Sequence, residues 1–174
     1  SVYRMVPTDD SWKITYDLVS GSTPLKLVSE FETSQFETRC KYTLDNEING
    51  IIHMSIGTLD SSNELVHSLN GGPESLTHKT SFILSKFSYH QLKNNENCNL
   101  VLPKGLNKQQ VTFHLVEQRK FPVLMNGKEK QVNVLFVQDV EDKNYRLWIL
   151  DDRETPLILR LDLGWKLMIR SFET

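Results

Sequence analysis

The sequence predicts a mainly β domain (a β-rich α+β fold). Its core is an antiparallel curved sheet, either a partly open barrel or a sandwich, with one short helix. Three observations carry this. Apolar and polar residues alternate with period two in at least seven separate segments, the pattern of strands with one face on a core. Turn-forming residues punctuate those segments at short intervals, Asn126-Gly127 most clearly. The 174 residues, 39% hydrophobic and 24% charged, can bury a core without metal or disulfide staples. A single domain over 1–174 is expected, with 70–79 as the place for any internal boundary.

Taken in order, Trp12-Ile14-Tyr16-Leu18 alternates with Lys13-Thr15-Asp17 and forms the first strand. Leu25 to Glu32 resumes after the break Gly21-Ser22-Thr23-Pro24. Phe36 to Leu44 alternates with Glu37, Arg39, Lys41 and Thr43, a half-buried strand. Asp45-Asn46-Glu47 then turns the chain toward Ile48 and Ile51–Ile56, which predicts a hairpin. Leu59 to Leu69 is weakly patterned and ends in Asn70-Gly71-Gly72-Pro73, the strongest breaker, which predicts a loop. Lys79–Leu84 reads as a short strand. Ser85 is placed to N-cap a two-turn helix over Lys86–Lys93, stopped by Asn94-Asn95. Asn97–Leu102, Val111–Glu117, Phe121–Met125 and Lys130–Val140 follow as strands. Asn126-Gly127 joins the last two as a type I′ turn, whose central residues both need positive φ. Tyr145–Leu150, Leu157–Leu163 and Trp165–Phe172 complete nine or ten antiparallel strands, the final pair turning at Gly164.

Charge and motifs exclude more than they assign. A net charge of -2 gives no global attraction to nucleic acid. No apolar run reaches the ~20 residues of a membrane-spanning helix, so an integral helical membrane protein is not expected. Ser1-Val2-Tyr3-Arg4 shows no leader. There is no G-x-S-x-G elbow and no S-x-x-K; Ser20-Gly21-Ser22 reads as turn chemistry. The five histidines (His53, His67, His78, His90, His114) lack the spacing of a metal site, and His114 falls on the polar side of its strand. Cys40 and Cys98 lie in phase with apolar neighbours and read as buried thiols, with a Cys40–Cys98 disulfide open in an oxidising compartment. No cofactor is expected.

Two sets of charged residues invite a functional reading. Asp151-Asp152 and Glu141-Asp142 could do acid–base work if their carboxyls converged, but neighbours on a strand point to opposite faces. Asp151 to Pro156 therefore reads first as a turn. Lys104, Lys108, Arg119, Lys120, Lys128 and Lys130 bracket the Asn126-Gly127 hairpin and could meet an anion, yet no aromatic is interleaved with them in sequence.

One apolar feature stands out. Leu135 and Val137, and Trp148 and Leu150, lie opposite Val134/Phe136 and Leu147/Ile149 in their strands, so these strands are apolar on both sides. Both sides must then be covered, either by a second layer of the protein or by something it binds. Leu135, Val137, Trp148 and Leu150 are therefore the candidate ligand or partner face.

From about Thr80 onward the chain resembles a group of uncharacterised bacterial cell-envelope proteins. The matching pieces are Phe82-Ile83-Leu84-Ser85 before the short helix, the hairpin Val123–Lys128, and Leu147–Asp152 running on through Thr155-Pro156-Leu157-Ile158-Leu159. Thr155 stands where that group commonly has Asn. The resemblance implies a periplasmic or surface-facing β domain, similar in its curved sheet to lipoprotein-carrier folds, and assigns no catalytic residue. A cytoplasmic location stays open.

The expected function is a non-catalytic envelope domain. It would bind an apolar or lipid-like ligand, or another envelope protein, on its sheet face. The alternatives are a hydrolase pairing Asp151 or Asp152 with a histidine, and a structural or adhesive module.

Overall fold

The computed structural model describes residues 11–20, 23–34, 37–45, 48–55, 60–61, 63, 72–76, 82–104 and 107–174. The N-terminal strands are β1 (Ser11–Ser20), β2 (Thr23–Thr33), β3 (Glu37–Leu44), β4 (Ile48–Ser55) and β5 (Gly72–Leu76). Helix α1 (Lys86–Lys93) follows. Then come β6 (Cys98–Lys104), β7 (Asn107–Met125), β8 (Lys128–Asp139), β9 (Arg146–Leu150), β10 (Ile158–Asp162) and β11 (Lys166–Glu173). These strands form one sheet in the order β5-β4-β3-β2-β1-β11-β10-β9-β8-β7-β6. The sandwich alternative gives way to a single curved sheet.

Among the described residues, pairing is antiparallel except at two places. β5 runs parallel to β4, and Phe172 at the end of β11 meets Met125 at the end of β7 in parallel register. That second contact bends β7 to β11 into a ring, while β6 and β1 to β5 extend beyond it. The result is ring-like without being a closed barrel. Directly opposed pairs such as Ile14↔Ser29 and Tyr16↔Ile169 build a continuous inner face on which Trp12, Ile14, Tyr16, Leu27, Phe31 and Phe172 are buried. Trp12 stacks on Phe31 with ring centroids 3.9 Å apart, and Tyr16 donates its hydroxyl to the Ile158 carbonyl at 2.8 Å.

Local chemistry explains most boundaries. Ser85 accepts from the Ser88 amide and caps α1, whose last turn carries the Lys93 cation, favourable at that helix end. Asn126 and Gly127 have φ of 49° and 80°, the values a type I′ turn needs.

Three boundaries differ from the sequence reading. Gly72 and Pro73 open an edge strand instead of ending the sheet; proline is tolerated there because an edge strand can spare an N–H. Val111–Glu117 and Phe121–Met125 are one strand of 19 residues, because a bulge between Leu115 and Glu117 carries pairing through the polar stretch. Of Lys79–Leu84, residues 79–81 lie outside the described residues, and Ile83 makes an isolated bridge to Leu157.

Candidate functional site

The strand register divides the four residues of the candidate face. Leu135 is opposite Ile149 and Val137 opposite Leu147, whereas Phe136 is opposite Trp148 and Val134 opposite Leu150. Opposed residues share a face, so Leu135 and Val137 lie on one side and Trp148 and Leu150 on the other. Leu135 and Val137 are 0% exposed, joined to Ile149 and Leu147 in the core. Alternation assigns sides within a strand but carries no information on register between strands, and a one-residue shift changes which neighbours share a face.

The second face is covered by cations. The Phe136 and Trp148 rings lie 4.9 Å apart at 41°. The register continues outward, placing Glu117 opposite Phe136, Arg160 opposite Trp148 and Met168 opposite Arg160. The Arg119 guanidinium sits 3.8 Å from the Phe136 centroid, Arg160 lies 4.5 Å from Trp148, and Arg146 is 5.6 Å from the same ring. Phe136 and Trp148 are consequently buried, under arginine side chains that are themselves about a third exposed (Arg119 40%, Arg146 35%, Arg160 31%). Arginine suits this role because its flat, weakly hydrated cation stacks on a ring while its N–H groups stay free at the edge.

Asp162 anchors the arrangement. Its buried carboxylate accepts from Arg146 Nη2 at 2.7 Å and from Arg160 Nη2 at 3.3 Å. Arg119 is held by Glu117 on its own strand. Further along the face, Gln138 lies between His114 on β7 and Arg146 on β9. His114 Nδ1 and Arg146 Nε are buried there without a hydrogen-bond partner among the described residues. Arg146, Arg160 and Asp162 escaped the sequence reading, and Phe136 was set on the side opposite the candidate face, because the site is assembled across four strands. Arg119 was visible only as one of a basic set. The signal available was Arg160 two residues before Asp162 on one strand, with Arg146 at the start of the preceding apolar strand.

The acidic pair does different work. The two Asp151 oxygens accept from Tyr89 Oη at 2.6 Å and Lys93 Nζ at 3.1 Å, which fastens α1 to the end of β9. Burial, then the bond to Asp151, pushes the Tyr89 hydroxyl well above its ordinary value. Asp152 Oδ1 accepts from the Glu154 and Thr155 amides and shapes the turn. The two carboxylates are thus engaged separately. His90 is exposed on α1; His67, His78 and the side chain of His53 lie outside the described residues. Among the described residues no cluster of three His, Cys, Asp or Glu side chains is set to hold a metal ion, and no helix is long and apolar enough to cross a membrane.

Cys40 and Cys98 are free and buried. A cavity of about 300 Å³ opens between β1, β2 and the end of β11, lined in part by Trp12, Phe31, Glu30, Glu32 and Glu173. None of the four residues of the candidate face lines it. No protein-family model, curated protein or solved structure was found to match the chain.

Proposed function

We propose that this domain is a non-catalytic binding module that engages a protein partner on the Phe136–Trp148 face of its sheet. The observation that supports this most is the way that face is covered: an apolar pair capped by partly exposed arginines, with the exposed Met168 beside them. Arg, Trp, Phe and Met are the residues enriched at protein interfaces, and Trp and Arg dominate their binding energy. A setting in the bacterial envelope is part of the proposal and rests on the resemblance of residues 80–159 to envelope proteins.

The experiment compares the immobilised wild type with the variant Arg160→Ala/Met168→Glu, both checked for folding by circular dichroism, in capture from an envelope extract. Partners retained by the wild type and lost by the variant are expected. Equal retention by both would remove the reading. A second reading, a small bound ligand, is favoured by the cavity beside Trp12 and Phe31, whose volume reaches the lower end for ligand pockets, ~300 Å³. Native mass spectrometry of gently purified protein tests it through the presence or absence of added mass.

A further inference from the structure

We infer that the element of the partner seated on this face is an acidic, extended segment, whose carboxylates pair with Arg119, Arg146 and Arg160; this rests on the binding reading above. Arg119, Arg146, Arg160 and Lys166 lie around Glu117 and Asp162, and at the Met168 end Arg170 pairs with Asp17, so cations outnumber anions five to three. Asp162 is buried beneath Arg146 and Arg160 and offsets one of their two charges. What the surface offers is cationic, on a chain whose overall charge is -2.

The guanidiniums are also incompletely used. Arg146 gives one N–H, at Nη2, to Asp162; its Nε is buried out of reach of a partner, so what it offers is the outer edge of its fork, on a side chain 35% exposed. Arg160 directs Nε and Nη2 to Asp162, at 3.4 and 3.3 Å, longer than a good charge-assisted bond. Planar forks held flat by aromatic rings and left with spare N–H groups match carboxylates, which accept two parallel bonds. The three arginines stand on β7, β9 and β10, so they span three strand spacings, roughly 14 Å at about 4.8 Å each. An extended chain covers that distance in four or five residues at about 3.3 Å each. Exposed Met168 at the end of the row would take an apolar side chain of the same segment.

The test uses the intact chain and three fluorescent probes, with binding read by anisotropy at low and physiological salt. One probe is a peptide of alternating Glu and Ala, the second its Gln counterpart, the third a single-stranded oligonucleotide of equal charge. The Glu peptide is expected to bind, to weaken with salt, and to exceed the Gln peptide by about tenfold or more, the ratio for ~1.4 kcal/mol. Arg119→Gln/Arg160→Gln should lower its affinity by a similar factor, and Arg119→Lys/Arg160→Lys should restore only part, since the charge returns without the fork. Equal binding of the Gln peptide, no effect of the Gln variant, or tighter binding of the oligonucleotide would each overturn the inference. If capture from the extract depends on this face while the Glu peptide fails to bind, the binding module stands and its acidic partner falls. If neither occurs, both fall.

Discussion

Cys40 and Cys98 show what this core does to single residues. Both thiols are fully enclosed, and burial pushes Cys40 up to about 12 and Cys98 up to about 11. An unfolded thiol titrates near ~8.5. Between that value and the folded ones the unfolded chain has lost protons that the native chain keeps, so stability falls as pH rises. Each cysteine adds a slope of up to ~1.4 kcal/mol per pH unit in that window. Urea midpoints should therefore decline from about pH 8.5 upward, and Cys40→Ala/Cys98→Ala should flatten the decline below the tyrosine range. A midpoint independent of pH in the wild type would contradict this. Burial of the thiols was readable from their phase with apolar neighbours. The stacking of Arg119 on Phe136 was not, because residues 17 apart in sequence meet only through the β7–β8 register.

At the scale of elements, α1 is a short helix attached by few points. Ser85 caps it, Leu92 and Tyr89 bury its inner side, and Asp151 binds Tyr89 and Lys93. An isolated helix of this length is not stable in water, so its order depends on these attachments. Asp151→Ala would strand the Tyr89 hydroxyl, at a cost of about 1–3 kcal/mol for a buried donor left unpaired. Amide exchange should then accelerate over Lys86–Lys93 while β8 and β9 keep their protection; uniform acceleration across both would show the clasp to be global. The helix, its cap and its end were legible because capping is local chemistry. The role of Asp151 was not legible, since its partners lie 58 and 62 residues away.

For the whole molecule, the ring is held where β11 reaches β7. The Asn126 amide donates to the Phe172 carbonyl at 2.9 Å, and its side chain exchanges two bonds of 3.0 Å with Thr174. Phe172 is fully buried beside Trp12. Phe172→Ala should cost about 3–5 kcal/mol, lowering the melting temperature by roughly 10 °C for a chain of this size, with a change in the Trp12 environment visible in fluorescence. An unchanged melting temperature would mean the closure contributes nothing. That the chain is mainly β was evident from alternation alone. The strand order was not, because closure of the ring and the position of β1 are settled by contacts between distant segments.

The strand order carries one more consequence. Strands β1 to β4 form one run of consecutive hairpins and β6 to β11 another, and the seam between the runs is the first strand laid against the last. On the ribosome, the N-terminal run emerges with one long edge of β1 unpaired, and that edge must wait for the final residues of β11. During this interval β1 is a template for any compatible strand, including the β11 of a neighbouring chain. Folding is expected to be slow for the chain's length, since its central seam closes over a long sequence separation. Crowded refolding should favour dimers that have traded their C-terminal runs across this seam.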